Sequence, residues 1–206
     1  MINLSDSIHM GIVKAQKDYI NWSGVGLGHS AEYLIVTNIA QVISNLKNIN
    51  EIESIFVEQS TDELKEWVKL ENDDELRKGR CDICVERNEE DYVIIEVKNT
   101  LTTKGKTYDS IFSDIKRIEV FLKNSSFVNE SYVCFLNANY INDKEDTEEN
   151  KKEISEKISD RLEVFSDGVK SEFPNLKFTF TYKEFLEKTE ENKIWGWESV
   201  VAKITL

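Results

Sequence analysis

The sequence predicts an α/β fold, a mixed central sheet flanked by helices. Three observations carry that expectation. Segments of helical period alternate with short apolar runs along the chain. The two most strand-like runs, residues 80–86 and 92–98, are separated only by a polar turn. Finally, 206 residues with 40% hydrophobic content can build one compact core without disulfides or metal staples.

Each element follows from its own pattern. Residues 5–20 read as a helix with Ile8, Ile12 and Ile20 near one side. Gly24, Gly26 and Gly28 interrupt it, and Ser30 stands where a cap would open a stronger helix running to about residue 48. Leu34, Ile35, Ile39, Val42, Ile43 and Leu46 keep helical spacing there. Residues 52–58 read as a strand; 61–78 are charged, and 66–70 fit strand or helix equally. Residues 80–86 and 92–98 are strands around the turn at 87–91. From about Tyr108 the period changes, and Ile111, Phe112, Ile115, Ile118, Phe121 and Leu122 line an amphipathic helix. Residues 132–136 form an apolar strand, 143–165 a charged helix, 177–182 a strand, 184–190 a helix and 199–205 an edge strand. No repeat or low-complexity linker divides the chain, so residues 1–206 are expected to form a single domain.

Charge narrows the function classes. The chain carries 26 Lys and Arg against 39 Asp and Glu, a net charge of −13. Such a surface repels nucleic acid and anionic membranes, so a polyanionic partner needs a local basic patch or bound cations. No apolar run approaches the ~20 residues that cross a bilayer. The first residues have neither the basic nor the apolar region of a signal peptide, and a soluble cytoplasmic protein is expected. Cys81, Cys84 and Cys134 make an odd set unsuited to a disulfide framework, and His9 and His29 are too few for a histidine-rich metal site. Cys81-x-x-Cys84 lacks a second ligand pair, and strand alternation puts its thiols on opposite faces, which argues against zinc.

The informative stretch is Arg80-Cys81-Asp82-Ile83-Cys84-Val85, followed by Tyr92-Val93-Ile94-Ile95-Glu96-Val97-Lys98. Alternation sets Glu96 and Lys98 on one strand face, with Val93, Ile95 and Val97 on the other. Ile83 and Val85 share a face in the preceding strand, with Asp82 opposite. If the apolar faces coincide, Asp82 joins Glu96 and Lys98, and the register must pair residues whose numbers sum to an even value. A plain two-residue turn at Glu89-Glu90 gives an odd sum. The hairpin therefore needs an odd loop or a bulge. Two carboxylates gathered this way can bind a hard divalent cation, Mg²⁺ first and Mn²⁺ second, and a neighbouring lysine can orient or help deprotonate a metal-bound water and neutralise developing phosphate charge. The plain alternative is a surface strand pair with an ordinary cross-strand ion pair. The run Val93-Ile94-Ile95 argues against it, because a central strand makes unpaired charge costly.

Asp82, followed after an apolar run by Glu96-Val97-Lys98, resembles the PD-(D/E)xK nuclease superfamily with its restriction-endonuclease-like fold. The resemblance covers residues 30 to about 140, whose order of helix, three strands, helix and strand is similar to the family core. It implies Asp82 and Glu96 as metal-binding acids, Lys98 as the catalytic lysine and the Val97 carbonyl as a further ligand. Glu32 occupies the place of the glutamate that many members add from the first core helix. Cys81 stands where the name's proline would be. The implied activity is Mg²⁺-dependent hydrolysis of DNA, with RNA as the alternative substrate, and many members act as homodimers. The competing expectation is a nuclease-like fold used for binding or regulation, which a net charge of −13 also suits.

The surrounding residues are read more plainly. A first-turn glutamate such as Glu32 is favoured by the helix dipole without any metal role. Gly24-x-Gly26-x-Gly28 lacks a Walker lysine and reads as a connection, with His29 beside it. Lys104, Lys106, Lys116, Arg117 and Lys123 follow the E-x-K strand against Asp109, Asp114 and Glu119, and Arg77, Lys78 and Arg80 approach from the other side. Arg80, Lys104 and Lys106 are the residues expected to contact nucleic-acid phosphates.

Overall fold

The computed structural model describes residues 3–24, 32–46, 51–141, 147–188 and 194–206. Among them the chain runs α1 (Leu4–Ser23), α2 (Glu32–Ser44), β1 (Ser54–Ser60), α3 (Thr61–Trp67), β2 (Arg80–Asn88), β3 (Asp91–Lys98), α4 (Lys106–Asn124), β4 (Glu130–Ile141), α5 (Glu148–Glu172), β5 (Lys177–Lys188) and β6 (Ile194–Thr205). The six strands form one mixed sheet in the order β1-β2-β3-β4-β6-β5. Only β3 and β4 are parallel, joined through α4, the crossover that parallel pairing requires.

Burial explains that order. Tyr92 to Val97 are all buried, as a strand covered on both faces must be. On one face α1 and α2 pack Ile8, Ile12, Ile35, Ile39 and Ile43 against Ile83, Val85, Val93, Ile95 and Val97. On the other, α3, α4 and α5 pack Leu64, Ile111, Ile115, Ile118, Phe121 and Phe165 against Cys84, Ile94, Val133 and Phe135. Both sides of the sheet are therefore core. Asn3 caps α1 by accepting the Ser5 N–H, and Gly24 closes it in the left-handed region at φ 72°. Gly11 is where α1 crosses α2: a Cβ there would lie 2.5 Å from the Ile39 Cα.

The hairpin has the register that its apolar faces demand. Ile83 faces Ile95 and Val85 faces Val93, and the parity is restored by a bulge between Glu86 and Asn88. The turn is thus the two-residue Glu89-Glu90, with Arg87 as the extra residue.

Several expectations need correction. Residues 184–188 continue β5 instead of forming a helix, because they pair with β6 from Glu198 back to Ile194, and a long ladder outweighs the helix propensity of Glu, Leu and Lys. Residues 189 and 190 lie outside the described residues. β6 begins at Ile194 and lies between β4 and β5, so it is an interior strand, not an edge. The helix expected at 143–165 is α5, shifted to Glu148–Glu172 with Thr147 as its cap; residues 143–146 lie outside the described set. Ser30, His29, Gly26, Gly28 and residues 47 and 48 fall there too. The ambiguous segment begins with the short α3, capped by Ser60. Cys81 and Cys84 share one cluster, not opposite faces. Alternation breaks at Asp82 because the β1–β2 ladder skips from Val57–Ile83 to Gln59–Cys81, with Glu58 at a positive φ of 56°. All three cysteines remain free and buried. No helix of the described residues is long and apolar enough to cross a membrane.

Candidate active site

The site forms where β2 and β3 part company. Their ladder reaches Ile83 opposite Ile95 and stops, and the Asp82 carboxylate then enters the gap. There Asp82 Oδ2 accepts the Val97 N–H at 2.6 Å. A side-chain oxygen replaces the next backbone rung, and this holds Asp82 close enough to Glu96 for the two carboxyls to act on one another.

Glu96 points under α4 and is 1% exposed, which excludes the surface-pair alternative. Arg117 meets it there: Nε at 3.2 Å and Nη2 at 2.6 Å both donate to Glu96 Oε1. The same Nη2 donates to Asp114 Oδ1 at 2.9 Å. Asp114 Oδ2 lies 3.0 Å from Lys98 Nζ, and Lys98 Nζ lies 3.8 Å from Glu32 Oε1. Lys98 also donates to the Val97 carbonyl at 3.0 Å, so this carbonyl faces an ammonium. A continuous chain of charge results: Glu96, Arg117, Asp114, Lys98, Glu32. Four carboxylates, counting Asp82, stand against two cations, a residual charge of −2 when all are ionised.

The electrostatics follow from burial and crowding. Burial raises the Asp82 carboxyl above its ordinary range, with Lys98 and the Val97 N–H pulling it down. Glu32 is raised by burial and by its acidic neighbours, against Lys98. Burial raises Glu96 as well, outweighing the guanidinium beside it. Burial pulls Lys98 down, but Asp114, Asp82 and Glu32 together outweigh it and hold the ammonium well above its usual value. Lys98 is therefore a fixed positive charge at neutral pH, not a base.

Asp82, Glu96 and Lys98 are thus brought together from β2 and β3, and Glu32, which the family resemblance alone had suggested, approaches them from α2. Arg80 is exposed at the start of β2, 4.0 Å from Glu58. Lys104 and Lys106 are exposed where β3 hands over to α4. Arg117 is not part of the basic surface, since it is buried on Glu96. Lys123 is engaged by Glu119 at 2.7 Å. Asp114 and Arg117 were the members that sequence reasoning missed. Their signal is visible in hindsight: Asp114 sits three residues after Ile111 and four before Ile118, inside the apolar stripe of α4.

The donor set has the chemistry a hard divalent cation requires, carboxylate oxygens with surplus negative charge. Among the described residues, no three acidic, histidine or cysteine side chains already stand as a metal-holding group. Comparison with protein-family models, curated proteins and solved structures finds no match for this chain.

Proposed function

We propose that this protein is a Mg²⁺-dependent nuclease of the PD-(D/E)xK type, hydrolysing DNA phosphodiester bonds with Asp82, Glu96 and Lys98 at its centre. The observation that carries the reading is the convergence of Asp82 and Lys98 with the buried Glu96 at the splayed ends of β2 and β3, with Glu32 arriving from α2. The run α2, β1, β2, β3, α4, β4 supports it by resembling the family core, with α3 as a short addition. Asp82, Glu96 and Glu32, with the Val97 carbonyl, would hold the cation, Mn²⁺ being the alternative. Bound there, it supplies Lewis-acid polarisation of the phosphate and a nucleophile from water at neutral pH. Lys98 contributes a fixed positive charge toward a phosphate oxygen as negative charge develops. Asp114 orients Lys98, and Arg80, Lys104 and Lys106 contact the backbone, which makes binding salt-sensitive.

One observation favours a second reading. Arg117 already satisfies Glu96, as it would in a nuclease-like scaffold that binds a partner without cutting. Cleavage of supercoiled plasmid and of RNA, with Mg²⁺, with Mn²⁺ and with chelator, separates the readings. Metal-dependent nicking of plasmid by the wild type and none by Asp82→Asn is the expected result. Cleavage of RNA alone would reassign the substrate, and no cleavage of either by the wild type would leave the binding reading.

A further inference from the structure

Arg117 is more deeply buried than Lys98, its side chain 5% exposed against 11%. Its guanidinium is held by two carboxylates and lies close to Gly79. Nε and Nη2 converge on Glu96 Oε1, Nη2 also reaches Asp114, and Nη1 lies 3.3 Å from where a Cβ on Gly79 would stand. A glycine at 79 thus leaves just enough room for the guanidinium beside the Glu96 carboxylate. The buried Glu96 could not stay ionised there alone, because an unpaired interior carboxylate costs several kcal/mol.

We propose that Arg117 is a placeholder for the divalent cation at Glu96: guanidinium and metal compete for one carboxylate. The inference rests on the metal-dependent reading above and adds how the site exchanges its counter-charge. Metal loading draws Glu96 away from Arg117, and the guanidinium stays anchored on Asp114. Asp114 is then a positioning residue, holding Lys98 on one oxygen and Arg117 on the other. With all four carboxylates ionised, Arg117 and Lys98 leave a charge of −2, which one divalent cation would offset. An arginine in this position keeps the metal-free fold intact, and it weakens metal binding in doing so.

The test is direct Mn²⁺ binding, read by the electron paramagnetic resonance signal of the free ion and by the melting temperature, on wild type, Arg117→Gln, Arg117→Lys, Lys98→Gln and Asp82→Asn. Arg117→Gln should bind Mn²⁺ at least about tenfold more tightly, since a charge-assisted pair no longer has to be broken. It should also melt lower than wild type without metal. Lys98→Gln controls for the field, because it removes one positive charge near the site without touching Glu96. A field effect alone would give both variants the same gain; competition gives Arg117→Gln the larger one. Arg117→Lys keeps the charge and loses the fork, so it should still gain several-fold, and it carries the comparison if the glutamine variant fails to fold. Wild type binding Mn²⁺ with no greater affinity in the Arg117 variants than in Lys98→Gln would overturn the placeholder and leave the nuclease reading standing. No binding by wild type with binding by the Arg117 variants would support competition in its strongest form. No binding by any of these proteins would remove both the metal reading and the placeholder.

Discussion

Replacing Gly11 by alanine tests the helix crossing that carries Glu32 to the site. The added Cβ would stand 2.5 Å from Ile39 Cα, 2.7 Å from its Cγ1 and 2.8 Å from its backbone nitrogen. Ordinary contact begins near 3.4 Å, so α1 and α2 must separate by roughly 1 Å. Two of the three atoms are backbone, and no rotamer change relieves them. A gap of that size forfeits a quarter to a half of each affected dispersion contact, and Ile8, Ile12, Ala15, Ile35, Ile39 and Ile43 all belong to the cluster between these helices and the sheet. Overpacking of this kind costs about 1–3 kcal/mol, and rigid backbone puts it at the upper end. Against it, alanine gains about 1 kcal/mol of helix propensity over glycine. The expected net loss is about 2 kcal/mol, or a fall of about 4–8 °C in melting temperature for a chain of this size. Urea unfolding of the two proteins measures it. A Gly11→Ala variant as stable as wild type, or more so, would show that the crossing has slack and that α2 is not seated by it. Ile39 lies two turns after Glu32, so the same separation should loosen the 3.8 Å approach of Glu32 to Lys98.

The remaining expectations concern charge. Asp82→Asn keeps an oxygen for the Val97 N–H and removes a raised carboxyl, so its metal-free stability should match wild type or exceed it by under about 1 kcal/mol, while the Mg²⁺-induced rise in melting temperature disappears. Equal Mg²⁺ titration curves for the two proteins would refute the role of Asp82. Lys98→Ala leaves Asp114 and Glu32 without their shared cation, and should cost about 2–3 kcal/mol and abolish cleavage while a metal-induced shift persists. Glu32→Gln, at a position only half-buried, should change stability by less than about 0.5 kcal/mol and reduce cleavage, as parallel melts and nicking assays would show. His9, buried and hydrogen-bonded to Ser199 and Thr181, has its pKa lowered by burial from 6.5 to about 4. Its contribution is therefore complete above pH 6.5 and lost as pH falls toward 4, with a slope on the order of 1 kcal/mol per pH unit. Urea midpoints for wild type and His9→Gln between pH 7.5 and 4.5 should diverge, and parallel lines would refute the assignment.

The site residues that could be read in advance were those whose spacing is local. Glu96 and Lys98 share a strand face by the period of two, and the parity of the β2–β3 register required an odd loop or a bulge; the structure has the bulge, at Arg87. Glu32 entered only through the family resemblance, since a first-turn glutamate of α2 fits the helix dipole without any site role. Asp114 and Arg117 were harder, because a charged pair at i and i+3 on a helix fits a solvated face as readily as a buried one. Their meaning depends on which face of α4 meets the sheet.

By itself the sequence determined the α/β class, the parity of the hairpin register and the shared strand face of Glu96 and Lys98, since each is a matter of periodicity along one or two neighbouring segments. Only the tertiary structure decided the rest. Residues 184–188 join β5 because β6 lies alongside them, a pairing no local propensity encodes. Asp82 turns into the gap between β2 and β3 where their ladder ends and the β1–β2 ladder misses one pair. Glu96 is paired with Arg117 because α4 folds back over β3 and removes water from both. Charge on a strand or a helix is legible in sequence; which opposite charge answers it, and whether water does so instead, is decided when distant segments pack.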